Sequence, residues 1–256
     1  MKSFYAVSLK VLFFPLIPKF STKIKTLEAI TMIEPKLNED LAELYGAMIG
    51  DGCLSNYLSN YEKREIFCTL ITGHTHDYHY YKKILQPIML NEFGIKGCIR
   101  FRSDCNATRF ETTFKSVFDF FKESGFPVGL KKNLFIPNAI IHDNNLSIAC
   151  IRGIFDTDGS IYSRYSKRYS NHLRHYNYLV IQFKLKSKEV INQIKLILDR
   201  NNIKTTKIGD LQNMYYVVRI TSQESIHKFM ELVKPSNKYH TARYLNKIDF
   251  RNDTGP

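Results

Sequence analysis

The sequence predicts an α+β chain of two similar halves, each running αββαββα around a four-stranded antiparallel sheet. Three features support this. Two apolar runs of helical length, 41–52 and 147–159, end in the same dipeptide, Asp51-Gly52 and Asp158-Gly159. Each run carries small residues at four-residue spacing: Ala42, Gly46 and Gly50, then Ala149, Gly153 and Thr157. Residues four apart share one helix face. After each run the strand and helix patterns recur in one order, offset by 158 − 51 = 107 residues, which marks an internal duplication.

The elements follow in order. Asn38 is a good N-cap for the first run, and Glu39 and Asp40 suit its first turn. A glycine inside a helix costs about 1 kcal/mol against alanine. Gly46 and Gly153 therefore need an offsetting gain, and close approach of two helix backbones supplies it. Alternation predicts a hairpin over 55–61 and 65–72, and helical spacing covers 77–91. A second hairpin is expected over 97–102 and 108–113, then a helix over 115–124 stopped by Gly125, with Pro127 beyond. Residues 136–145 form the link, with Asn144 or Asn145 capping the second seam helix. A long hairpin over 160–169 and 176–186, a helix over 188–201, a hairpin over 203–209 and 214–221, and a helix over 224–233 complete the repeat. The domain boundaries expected are 1–36 for an extension, 37–138 for the first half and 139–256 for the second.

The extension has five lysines (Lys2, Lys10, Lys19, Lys23, Lys25) before its first acid, Glu28, and Pro15 and Pro18 interrupt its apolar patch. That pattern suits an organellar transit peptide, and equally a poorly ordered extension or the remnant of a longer reading frame. The full chain has 37 basic against 24 acidic residues, a net charge of +13. Such an excess points to a polyanionic partner, and a membrane surface or plain solubility would account for it as well. Its 5 cysteines are odd in number and make no Cys-x-x-Cys pair, which disfavours a disulfide framework or a zinc finger and fits a reducing compartment. No apolar run approaches the roughly 18 residues of a spanning helix, so no membrane partner is expected. An intracellular setting follows, in an organelle or a prokaryotic cytoplasm.

The span 160–186 holds Arg164, Lys167, Arg168, Arg174, Lys184 and Lys186 and no acid, with Tyr162, Tyr165, Tyr169, Tyr176 and Tyr178 interleaved. A ten-residue strand is roughly 33 Å long, and a two-stranded ribbon fits the major groove of DNA. The plainer alternative is a solvated basic hairpin. Arg100, Arg102 and Arg109 are weaker candidates in the first half, where Glu62, Glu65 and Glu111 dilute the charge. His74, His76 and His79 show no fourth zinc ligand and read as structural or phosphate-facing.

Asp51 and Asp158 stand at helix C-termini, where the dipole disfavours an anion. If the two small-residue seams meet, the acids also repel each other unless cations lie between them. Negatively charged oxygens with room for water suit Mg²⁺. Each Asp-Gly could instead be only a tight turn.

The segments 44–52 and 151–159 resemble two copies of the LAGLIDADG motif of homing endonucleases. The second copy is close; the first is looser, with Ile49 where the second has Asp156. The resemblance implies a monomeric, intron-encoded, site-specific endonuclease that cuts double-stranded DNA with Mg²⁺ or Mn²⁺ across the minor groove of a long asymmetric target. The two sheets would form a DNA-binding saddle. Asp51 and Asp158 would hold metal beside the carbonyls of Gly50 and Thr157. Lys186 would be a pocket residue, with its first-half counterpart near Gly73 or His74. Lys131, with Lys132 adjacent, and Lys238 would support the site, each 80 residues after its acid (131 − 51 and 238 − 158). The same scaffold without catalysis would be a maturase binding intron RNA, or a transcriptional regulator.

Overall fold

The computed structural model describes residues 35–164, 178–211 and 214–252. The extension expected at 1–36 lies outside these up to residue 34, as do Tyr165, Lys167, Arg168, Tyr169, Arg174 and Tyr176 of the basic hairpin. The first half consists of α1 (Glu39–Asp51), β1 (Gly52–Ser59), β2 (Arg64–His74), α2 (Tyr78–Tyr80), α3 (Gln86–Phe93), β3 (Cys98–Arg102), β4 (Ala107–Thr112) and α4 (Lys115–Glu123). A short helix, α5 (Asn138–His142), lies in the link. The second half is α6 (Asn144–Asp158), β5 (Gly159–Arg164), β6 (Tyr178–Leu185), α7 (Lys188–Arg200), β7 (Gly209–Leu211), β8 (Tyr215–Ile220) and α8 (Gln223–Val233), followed by α9 (Lys238–Asn252). Each half has one antiparallel four-stranded sheet, ordered β1-β2-β4-β3 and β5-β6-β8-β7. The fold is the α+β architecture of two αββαββα halves that the sequence predicts.

Local chemistry sets the boundaries. Asn38 caps α1 by accepting from the Leu41 N–H at 2.9 Å. The cap of α6 is Asp143, which accepts from the Leu146 N–H at 3.0 Å, where Asn144 or Asn145 was expected. An anion gains from the helix dipole as well as from the hydrogen bond. The helix expected over 77–91 is interrupted. Pro87 removes one backbone donor, and just before it the chain widens into a π turn over Tyr81–Leu85. The strand expected over 203–209 is displaced to Gly209–Leu211. Ile203 is buried, and the Thr206 N–H donates to the Arg219 carbonyl at 2.8 Å outside the ladder. The apolar alternation there serves core packing rather than pairing. Helix α9 has no clean apolar stripe, and periodicity does not single it out.

One continuous core joins the halves, running from Leu44, Met48 and Phe121 to Phe155, Phe183 and Phe229. Its centre is the contact of α1 with α6, and the glycines make it possible. A Cβ on Gly46 would overlap the Cys150 carbonyl oxygen, and one on Gly153 would overlap the Glu43 carbonyl oxygen. Backbone cannot give way as a side-chain tip can. A charged link lies on the same seam: the Arg152 guanidinium meets the Glu43 carboxylate at 2.9 Å and donates to the Val233 carbonyl at 2.7 Å. Tyr80 donates its hydroxyl to the same carboxylate at 3.3 Å. Gly46→Ala or Gly153→Ala is expected to lower unfolding stability by about 3 kcal/mol, the upper part of the usual overpacking range, read from urea midpoints.

Candidate active site

Both seam helices end the same way. The N–H of Gly52 closes α1 on the Met48 carbonyl, and that of Gly159 closes α6 on the Phe155 carbonyl. Both glycines are extended (φ −80 and −74) and lead directly into β1 and β5. The Asp-Gly pairs are therefore helix-to-strand junctions, not hairpin turns. A Cβ on Gly52 would press on Met48, and one on Gly159 on Phe155, so the motif glycines answer a need for space. Asp51 and Asp158 are thus the last helical residues of their halves.

The seam brings these acids together. A Cβ on Gly50 would overlap the Thr157 hydroxyl and lie 3.3 Å from the Asp158 Cβ. Burial, then the neighbouring charges of Asp158 and Asp77, push the Asp51 carboxyl up to about 8, with Lys131 opposing. Asp158 is exposed at the end of the seam, yet desolvation still raises its carboxyl, again against Lys131. The Lys131 ammonium is half-buried and donates to the carbonyls of Ile49 at 2.9 Å and Gly50 at 2.5 Å. Desolvation pulls its amine below the ordinary lysine range, while Asp158 and Asp51 work in the other direction.

A third acid adjoins the pair. Asp77 accepts from the His74 N–H at 2.8 Å and from the Asn237 amide at 2.8 Å. A Cβ on Gly73 would overlap Asp77 Oδ2 and lie 2.6 Å from the Tyr81 hydroxyl and 3.1 Å from Asp51 Oδ2. Gly73 is thus the bare floor on which two carboxylates and a phenol converge. Asn237 also donates to the Asp156 carbonyl at 3.0 Å, tying the halves together. Asp156 itself is fully buried, and its Oδ2 accepts from the Ser236 N–H at 2.7 Å. The matching residue of the first motif, Ile49, is buried among apolar side chains. The acid absent from the first motif therefore belongs to a packed position, away from the converging carboxylates.

The LAGLIDADG-like domain family matches residues 145–234, which is most of the second half. Residues 145–234 are thus similar to a LAGLIDADG-like domain. The fold also resembles that of solved proteins over most of the chain. I-DmoI in complex with DNA and Mn is 18% identical with a TM-score of 0.55, covering 76% of this chain and 96% of that one. The LAGLIDADG meganuclease I-CpaMI bound to uncleaved DNA is 14% identical with a TM-score of 0.58, covering 84% and 90%. A mutant of I-SmaMI is 13% identical with a TM-score of 0.59, covering 83% and 90%. No curated protein matches the chain by sequence.

The fold distributes the other expected site residues unevenly. Lys131 reaches the seam; Lys132 is exposed beside it. Lys238 is exposed at the start of α9, and its neighbour Asn237 is the residue that enters the seam. Lys186 and Lys184 are exposed and flank the Tyr215 ring, at 5.5 and 4.7 Å from its centroid. Pairing Gly52 with Ile71 and Gly159 with Phe183 makes His74 the register counterpart of Lys186. Tyr162 donates to Gln182 Oε1 at 3.2 Å, and Arg219 Nε donates to the same oxygen at 2.8 Å. Arg164 ends β5. In the first half, Glu111 meets Arg100 at 2.8 Å and Arg109 at 3.6 Å, and Asp104 meets Arg102 at 2.8 Å. That sheet is accordingly close to charge balance. Strands β5, β6 and β8 carry no acid.

Asp77, Tyr81, Asn237, Gln182 and Arg219 are site or sheet residues that no motif or spacing singled out. His74 and His76 stack at 4.3 Å, and His76 stacks on Tyr239 at 5.1 Å. Among the described residues no group of three or more His, Cys, Asp or Glu side chains forms a metal cage, and no helix is long and apolar enough to cross a membrane.

A carboxyl that titrates higher in the folded than in the unfolded state takes up a proton on folding, so stability falls as pH rises between its two values. Metal-free protein is expected to lose stability from about pH 4 to about pH 8 through Asp51. Asp51→Asn should flatten that decline and leave the variant more stable than wild type above pH 8, as measured by denaturant titration in EDTA.

Proposed function

We propose that this chain is a site-specific endonuclease of the homing type, cutting both strands of a DNA duplex with one acid from each half. The observation that carries the proposal is the convergence of Asp51 and Asp158 at the end of the glycine seam. Two carboxylates raised by their surroundings, opposed among the described residues by Lys131, form an under-neutralised site. Such a donor set is too sparse for an all-protein metal cage, and it suits Mg²⁺ or Mn²⁺ completed by water and phosphate oxygens. The residues that would hold the ion are Asp51 and Asp158 with the carbonyls of Gly50 and Thr157. A divalent ion there would supply an acidified water and neutralise charge developing on phosphate.

The chain's own groups do the rest. Lys131 offsets the charge of the paired acids and fixes the carbonyls at the end of α1. The basic strands β5, β6 and β8, with Lys184, Lys186, Arg219 and Tyr162, would track the phosphates and groove of one half-site. The first-half sheet, with Arg100, Arg102 and Arg109 already paired to acids, would read the other half-site with less phosphate attraction. Two unlike sheets, one in 37–138 and one in 139–256, suit a long asymmetric target for a monomer. I-DmoI and I-CpaMI are solved with DNA, which agrees with this choice of partner over intron RNA.

Asp158→Asn is expected to keep DNA affinity and lose cleavage of at least one strand. A nicking assay on supercoiled plasmid carrying sites selected from a randomised library, with and without Mg²⁺, checks this; unchanged double-strand cutting by the variant refutes the role. Binding without metal-dependent nicking by the wild type would identify a non-catalytic member of the scaffold. Replacing Lys184 and Lys186 by alanine should weaken binding and reduce the salt slope of log K by roughly 2, about 1 per phosphate contact, in affinity titrations over a salt series.

A further inference from the structure

The two acid-bearing helix ends are not chemically alike. At the end of α1 the Lys131 ammonium donates to the carbonyls of Ile49 and Gly50. At the 107-residue offset (158 − 51), Asp156 is the counterpart of Ile49, and its carbonyl accepts from the neutral amide of Asn237 at 3.0 Å. That amide is committed elsewhere as well: it donates to Asp77 Oδ1 at 2.8 Å, and its oxygen accepts from the Tyr239 N–H at 3.1 Å. Lys238, which matches Lys131 by spacing, is exposed. The carbonyls at the α1 end therefore meet an ammonium and that of Asp156 meets an amide, while the ammonium lies in the field of both acids.

This difference bears on metal loading, and it rests on the reading that Asp51, Asp158 and the adjoining carbonyls hold a divalent ion. The ammonium occupies the Gly50 carbonyl and faces both carboxylates, which is the oxygen set that reading gives to the ion. A divalent ion and an ammonium sharing one carbonyl repel each other strongly in a half-buried site. We propose that Lys131 is a resident counter-cation that the divalent ion must displace, so that the second-half end loads first and the first-half end loads weakly. In the metal-free chain, Lys131 keeps two converging acids together. On loading it withdraws from Ile49 and Gly50, and its amine becomes available to solvent or to a bound phosphate.

Calcium binding to the full-length chain, followed by calorimetry at fixed pH, tests this. Wild type is expected to show two affinities separated by at least tenfold. Lys131→Met should tighten the weaker one by about tenfold, and Lys238→Met should leave both unchanged. Equal effects of the two substitutions, or none from Lys131→Met, overturn the proposal. A measurement on wild type alone guards against a variant that does not fold. Acetylation of Lys131 by acetic anhydride, read by mass spectrometry, should rise at least fivefold on adding Ca²⁺, with Lys132 as the internal reference. Calcium binding that is lost in Asp51→Asn but leaves Lys131 acetylation unchanged sinks the exchange while leaving the metal site standing. Absence of any Ca²⁺ binding sensitive to Asp158→Asn overturns the metal reading itself, and the exchange with it.

Discussion

The rest of the molecule depends on direct backbone contact between α1 and α6. Gly46 sits against the Cys150 carbonyl and Gly153 against the Glu43 carbonyl, with no room for a methyl group at either place. Most helix pairs are held apart by their side chains at 8–10 Å or so, and at that spacing the helix ends would stay separate. Removing the side chains allows the helices to close, and their ends then carry Asp51 and Asp158 into one another's field. The helices sacrifice intrinsic propensity at three glycine positions, Gly46, Gly50 and Gly153, in exchange for this approach. The gain is made elsewhere, in the apolar core that spans both halves.

Closing the seam creates an electrostatic problem, and each half meets it differently. Three acids, Asp51, Asp158 and Asp77, are drawn together, with Asp77 buried, Asp51 part-buried and Asp158 exposed. Burial favours protonation of each one, and Lys131 is the nearest opposing charge for the first two. Asp77 is held instead by neutral donors, a backbone N–H and the Asn237 amide. Asp156, deeper still, is kept in place by backbone N–H donation from Ser236. The division is physically coherent: the acids nearest solvent are left under-neutralised, while those further in are tied to hydrogen-bond donors.

Much of this was legible in the sequence, and the failures have physical causes. Four-residue spacing of small side chains identified both seam helices, and the repeated dipeptide identified the two acids. The order of strands and helices followed from alternation and periodicity. Other features depend on contacts that no local pattern encodes. Lys131 and Lys238 stand at equal distances from their acids, yet only the first enters the seam, because Asn237 occupies the corresponding position in the second half. The arginines of the first sheet were the weaker candidates because of nearby acids, and Glu111 does meet both Arg100 and Arg109. Asp77 only began the stretch of helical spacing over 77–91, and its approach to Asp51 arises because Gly73 leaves the space above β2 open. The strand expected at 203–209 failed because Ile203 was needed in the core.

The ion pair between Glu43 and Arg152 carries an implication for how such a chain can evolve. Each partner belongs to a different half, and the carboxylate is nearly sealed from water, with 5% of its side-chain surface exposed. Removing one member of a buried pair leaves the other without compensation, a loss of roughly 3–5 kcal/mol. A half-molecule recombined with a foreign mate must therefore find an arginine waiting for its glutamate, or the reverse. The outer sheets, which lie away from this pair, carry no such constraint. Along the join, a change in one half requires a matching change in the other.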